Sequence, residues 1–272
     1  MLRVDRIVVL TLLLVGGLCA GVSTAAAQES PVLDRVVQAG ELRVGMSGNQ
    51  PPFNMRDRAG NLMGIDVDVA TALAGAMEVE LNIVTRPFGE LLSALEAGEV
   101  DVVISGMTIT AERTRRVSFV GPYMLSGMSI LTNSRALAAA DATEDFDQAN
   151  LKLAALRGST SERFVERYLP AAQFTAVEDY DRGVQMVLAD EVDALVADMP
   201  ICLLSVMRNP NAGLLTLDEP LTIEAIGMAL PKGDTQFHNV VENYYRAFEG
   251  TGILEALRAK WLEDSSWIAA LP

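Results

Sequence analysis

The sequence predicts an α/β protein built as two similar lobes, and three observations predict it. Strand-like and helix-like segments alternate along the chain, which implies βαβ units and parallel sheets. One helix–turn–strand stretch has an echo further along. The C-terminal part is mostly helical and holds too little strand for a third sheet.

At the N-terminus, Arg3 and Arg6 precede an apolar run from Ile7 to Leu18, and small residues come after it up to Ala25-Ala26-Ala27. This order describes a secretory signal peptide over residues 1–27. The run is short of the roughly 20 residues a membrane span needs. Cys19 raises lipid attachment, but Leu18 stands before it where a small residue is expected.

Leu42 to Met46 reads as a strand. Asp66 to Met77 reads as a helix with Val67, Ala70, Leu73, Ala74 and Met77 on one stripe. Leu81 to Thr85 is strand-like, Phe88 to Ala97 helical, and Val100 to Ser105 a continuous apolar strand. The stretch from Leu91 to Gly106 is echoed from Gly183 to Asp198. Each is an apolar helix, a tight polar turn, then Glu-Val-Asp and a buried strand. A further strand stands ahead of each, Leu42 to Met46 in one case and Leu151 to Leu156 in the other. Two lobes or one longer doubly wound sheet both fit this echo. Ile223 to Leu230 is strand-like. Helices run from Gln236 to Glu249 and from Ile253 to Leu262, broken by Gly250-Thr251-Gly252.

Composition excludes several classes. The net charge is −15, which repels nucleic acid and anionic lipid. No Cys/His cluster has metal-ligand spacing, and neither a phosphate loop nor G-x-G-x-x-G is present. No cofactor or metal is expected. Cys202, within Ile201-Cys202-Leu203-Leu204, reads as a buried small hydrophobe. His238 reads as a structural or surface histidine. Asp66 and Asp68, two apart on a helix, do not face each other.

The candidate site lies where ligands bind in open parallel sheets, at the carboxyl ends of the strands. After Val100–Ser105 come Gly106, Thr108, Thr110 and Arg113. With Thr110 as N-cap, Arg113 falls in a first helical turn. Backbone amides, a hydroxyl and a guanidinium then converge on a spot suited to a carboxylate. A capped surface helix with a solvated arginine is the alternative. After the echoing strand the equivalent of Gly106 is Asp198, suited to an ammonium group or to a turn before Met199-Pro200. Ser159 and Thr160 come after the Leu151–Leu156 strand, as ligand donors or as a helix cap. Asn49 and Gln50 come after the first strand, and Phe88 opens a helix beside these loops, where it stacks on a ligand or fills the core.

These segments together resemble the periplasmic polar-amino-acid-binding proteins of ABC transporters, bacterial solute-binding family 3. The likeness runs through Leu42-Arg43-Val44-Gly45 with Pro52-Phe53 and through Gly64-Ile65-Asp66-Val67-Asp68. Its most specific stretch is Ile104-Ser105-Gly106-Met107-Thr108-Ile109-Thr110 up to Arg113. Gly158-Ser159-Thr160, Asp198 and Gly250-Thr251-Gly252 up to Trp261 fit in order.

The resemblance implies a periplasmic-binding-protein-like fold: two lobes, residues 28–124 with 228–272 and residues 125–227. Hinge strands near Met124–Ile130 and Thr222–Gly227 join them. It implies that Arg113, with Thr108 and Thr160, clamps a ligand carboxylate. Asp198 and the backbone near Gly106 would hold the ammonium, and Phe88 would pack on the side chain. It implies that an amino acid is handed to an inner-membrane permease; a monomer is expected, and because the motifs supply no nucleophile or obvious proton donor the ligand is expected to leave unchanged. Ser47 stands where binders of basic amino acids resemble one another in carrying an acid, and Gln50-Pro51 where relatives often carry an aromatic. These departures lead to the expectation of a neutral side chain. The same fold hosts cyclohexadienyl dehydratases, which would need a general acid in the cleft; Glu90 and Glu162 are candidates.

Overall fold

The computed structural model describes residues 29–140 and 146–271; the expected signal peptide and Cys19 lie outside them. In chain order the elements are α1 (Pro31–Ala39), β1 (Glu41–Met46), β2 (Met55–Arg56), β3 (Leu62–Met63), α2 (Ile65–Ala76), β4 (Glu80–Thr85), α3 (Leu91–Glu96) and β5 (Val102–Val103). Next come β6 (Ser118–Ser126), β7 (Met128–Thr132), α4 (Arg135–Ala138), β8 (Lys152–Leu156), α5 (Thr160–Tyr168), β9 (Gln173–Val177), α6 (Tyr180–Leu188) and β10 (Ala194–Asp198). The chain ends with α7 (Met199–Arg208), β11 (Leu215–Thr216), β12 (Glu224–Leu230), α8 (Thr235–Gly250) and α9 (Ile253–Arg258).

The strands form two separate five-stranded sheets, which decides against one long sheet. The first runs β4-β1-β5-β12-β6. The second, read from its far edge, runs β9-β8-β10-β7-β11. The plan is the same in both. Three parallel strands lie side by side, and the third of them pairs antiparallel with a fourth.

The echo in the sequence has a physical cause. Asp101 donates its amide to the Arg43 carbonyl, and its carboxylate accepts the Arg43 amide at 2.8 Å. Asp193 does the same to Lys152, accepting its amide at 2.7 Å. In each lobe one aspartate therefore pins the start of the neighbouring strand. The turn before it is also shared: Gly98 and Asp190 both take positive φ, 70° and 55°. This is the left-handed conformation that ends a helix. Asp101 is buried and additionally pairs with Arg35 and Arg43.

Between the terminal Lys152 and Asp198, strands β8 and β10 are apolar because both faces are covered. Leu153, Ala155, Ala194 and Val196 face one cluster with Ile130, Phe146 and Val165. Ala154, Leu156, Leu195 and Ala197 face the larger one. Cys202 is fully buried there, as expected. Helix α8 packs on β6 and on α1, α2 and α9, so the helical tail closes over the first sheet.

Three expectations need correction. Within Val100–Ser105 only Val102 and Val103 form a regular ladder, although Ile104 still donates its amide to Gly45. The buried residues of α2 are Ile65, Asp66, Val69, Ala70, Leu73 and Ala74, while Val67 is only half-buried. The segment Ile253–Leu262 is α-helical only to Arg258. It continues as a π-helical turn over Ala259–Glu263, which buries Trp261 with its ring N–H on Asp68 at 2.7 Å.

Two crossings connect the sheets. Strand β6 of the first sheet passes through Gly127 into β7 of the second. The chain returns after β11 through residues 217–223 into β12. The crossings lie side by side. Met128 donates its amide to Thr222 Oγ1 at 3.0 Å, and Leu221 donates to the Met128 carbonyl. A Cβ on Gly127 would stand 2.2 Å from the Thr222 carbonyl oxygen, so only glycine fits.

Candidate functional site

The carboxyl ends of β1, β5, β8 and β10 converge between the two sheets. Arg113 lies after β5 and is 2% exposed. Its amide bonds Thr110 Oγ1 at 3.2 Å, the expected cap, but the chain then makes a single 3₁₀ turn, Arg113–Arg115, rather than a helix. The helix-terminus contribution is therefore missing, and the guanidinium is the charged donor this segment presents. That group donates to the Thr108 carbonyl at 2.8 Å and, across the lobes, to the Gly158 carbonyl at 3.0 Å. It lies 5.6 Å from the centre of the buried Phe88 ring. Burial and the charge of Arg163 lower its pKa to about 10, which leaves it charged at neutral pH.

Asp198 ends β10, 8% exposed, and accepts from Ser126 Oγ at 3.1 Å. Burial first, and then the charge of Glu224, push its pKa up to about 7. Thr160 and Thr108 do come together, although on a protein carboxylate. Thr108 Oγ1 donates to Glu224 at 2.7 Å, and Thr160 Oγ1 to the same oxygen at 2.9 Å. Ser159 takes the other role open to it, capping α5 by accepting the Glu162 amide at 3.0 Å.

On the opposite wall, Gln50 is buried, and its carbonyl accepts from Ser47 at 2.7 Å and from Ser105 at 2.8 Å. Tyr180 of the second lobe, buried at the start of α6, lies close to it. Asn49 Oδ1 is buried with no hydrogen-bond partner among the described residues. Gly106 has φ 54° and packs over Phe53, with Asp66 nearby. Asp66 is fully buried, held by Tyr123 at 2.6 Å and Asn54 at 2.7 Å, and its pKa is raised to about 6, chiefly by burial. Glu90 is exposed, and Glu162 accepts the Gly158 amide at 2.5 Å.

Residue spacing does not point to Glu224 or Tyr180 at this site. Glu224 is 6% exposed and sits at the start of β12, opposite Ser126 in the β6 ladder. A single acid opening an otherwise apolar strand is the available signal, since a buried charge has to be there for a reason.

Two α/β lobes on a pair of adjacent crossings, with charged groups from both facing one cleft, define a two-lobed ligand-binding protein. The chain belongs to the bacterial extracellular solute-binding proteins, family 3, whose model matches residues 42–264. It is 27% identical to the L-cystine-binding protein TcyJ of Escherichia coli over 90% of this chain and 91% of that protein. It is 28% identical to the cyclohexadienyl dehydratase of Pseudomonas aeruginosa over 87% of this chain and 88% of that one. Among solved structures it resembles the ancestral amino acid-binding protein AncCDT-1, a precursor of cyclohexadienyl dehydratase. The TM-score is 0.77 at 32% identity, covering 84% of this chain and 98% of the other. Among the described residues no helix is long and apolar enough to cross a membrane.

Proposed function

We propose that the protein captures a free amino acid in the periplasm by closing its lobes, and delivers it, as a monomer, to an ABC transporter permease. The observation that carries this reading is the buried Arg113 guanidinium in one lobe with Asp198 in the other. Arg113 pairs with no carboxylate among the described residues, and Asp198 with no cation. An α-carboxylate and an α-ammonium supply both missing partners. They lie a few bonds apart, so one molecule meets both groups only when the lobes approach. The ligand thus favours the closed state by contacts that the open state lacks. In this reading Phe88, Thr108, Gly106, Asn49 and Gln50 line the cleft, and residues 125–227 move against the rest. Ser47 and Gln50 give no support to the expected neutral side chain. Both are engaged with each other, Ser105 and Asn54, and do not set the charge of the cleft.

Calorimetry with wild type and Arg113→Ala tests the reading. Truncating one partner of a buried charge-assisted contact costs about 2–5 kcal/mol. An Arg113→Ala protein that binds its amino acid with undiminished affinity overturns it.

One observation favours a second reading. Asp198, at about 7, can hold a proton at neutral pH, which a dehydratase needs of its acid. Long incubation with prephenate and arogenate, then chromatography, separates the two. Ligand returned unchanged supports binding without turnover, and protein-dependent aromatic product supports the enzyme.

A further inference from the structure

The cleft holds more buried charge than one zwitterion neutralises. Arg113 takes the α-carboxylate and Asp198 the α-ammonium in the proposed amino-acid reading, on which this inference rests. Glu224 remains. Its partners are three hydroxyls, those of Thr108, Thr160 and, at 3.4 Å, Thr222, and no described cation pairs with it. Hydroxyls offer dipoles but no charge. This buried carboxylate is hydrogen-bonded only by neutral donors, and the cation that acts on it is Arg113; once a ligand carboxylate claims that guanidinium, the negative charge is left uncompensated away from water. The three hydroxyls also fix where it points. Thr108 belongs to the first lobe, Thr160 to the second, and Thr222 to the crossing, so Glu224 stands at the corner where the lobes meet.

Its relation to Asp198 is set by Ser126. Ser126 pairs with Glu224 in the β6–β12 ladder and donates its hydroxyl to Asp198. The two carboxylates therefore share one corner, and they act on each other electrostatically. Facing them, the buried cation of the cleft is Arg113, which an incoming carboxylate neutralises. Gln50, Tyr180 and Phe88, the remaining walls, carry no charge.

We propose that Glu224 is a specificity-determining residue, binding a second cationic group on the ligand, and that the substrate class is amino acids with basic side chains. With such a ligand the charges balance: carboxylate against Arg113, one cation against Asp198, the other against Glu224. A neutral amino acid leaves Glu224 unpaired in the closed state and binds more weakly.

The test uses ligand pairs of nearly equal shape that differ in charge. Arginine is compared with citrulline, and lysine with Nε-acetyl-lysine, by calorimetry on the intact wild-type protein. The expected result is at least about tenfold tighter binding of each basic member, the scale of one unbalanced charge. Glu224→Gln keeps an acceptor for the hydroxyls and should erase most of that difference, weakening the basic member and tightening the neutral one, whose binding no longer strands a charge. Citrulline binding as tightly as arginine overturns the inference and leaves the amino-acid reading standing, and this wild-type comparison holds even if the variant does not fold. A folded Glu224→Gln protein with an unchanged arginine-to-citrulline ratio also overturns it. Failure of every amino acid tried to bind overturns both readings.

Discussion

Gly158 and Gly89 meet across the two lobes: a Cβ placed on Gly158 would stand 2.6 Å from the Gly89 Cα. The contact lies beside the bond from Arg113 to the Gly158 carbonyl. Gly158 also has φ 76°, where a side chain is strained whatever the space. Gly158→Ala should therefore hold the lobes apart. Overpacking of this kind costs about 1–3 kcal/mol, or about tenfold in affinity. Calorimetry and small-angle scattering check it: weaker binding with a larger radius of gyration in the presence of ligand is expected.

The ion pair of Glu112 with Arg163 also bridges the lobes, but both groups are substantially exposed. Exposed pairs contribute about 0–1 kcal/mol and are screened by salt. Glu112→Gln should weaken binding by no more than about fivefold, an effect that fades in high salt. A loss as large as that of Arg113→Ala would contradict the ranking of buried over exposed charge.

Asp101 and Asp193 share one backbone role and differ in surroundings. Asp193→Ala removes the bond to the Lys152 amide at an exposed strand end and should cost about 1 kcal/mol. Asp101→Ala removes the same bond and leaves Arg35 and Arg43 without their shared carboxylate. Because both arginines are partly solvated, about 2–3 kcal/mol is expected rather than the full cost of an orphaned buried charge. Urea unfolding of the two variants compares them directly.

Stability of the ligand-free protein should fall as pH rises from about 4 to about 7. The folded pKa of Asp66 is raised to about 6 and that of Asp198 to about 7. For a raised acid the stabilisation is complete below the unfolded pKa and is lost as pH rises through the folded one. Asp57, Glu96, Asp234 and Asp264 are shifted down, so their contributions are lost only at lower pH. Thermal melts between about pH 4.5 and 8 should show the decline, and Asp198→Asn should flatten its upper part. A variant whose melting temperature follows pH like wild type refutes the role of Asp198.

Much of the fold is legible in the sequence because the signals are local. Strands β1, β4 and β8, helices α2 and α8, and the Glu-Val-Asp echo each announce themselves within a dozen residues or so. Strand β7, buried on both faces, reads only as part of a hinge, and the first half of β6, from Ser118 to Tyr123, carries no periodic pattern that marks it. The site obeys the same rule. Arg113, Thr108 and Asp198 stand at strand ends that the sequence marks. Glu224 becomes a cleft residue only because antiparallel β12 returns its first residue to the corner where the parallel strands end. Tyr180 reaches the site from a helix start whose sequence shows no sign of what it faces. Such placements depend on long-range topology, which residue spacing does not encode.

The closeness of Gly127 and Thr222 has a mechanical consequence. Two crossings in backbone contact act as a single spine: swinging about the line through them bends both equally, whereas twisting across it would stretch one and crumple the other. The lobe closure proposed above would then have one degree of freedom. Under the proposed closure, a ligand that lands first on the Arg113 side and one that lands first on the Asp198 side would be led along the same arc to the same final pose.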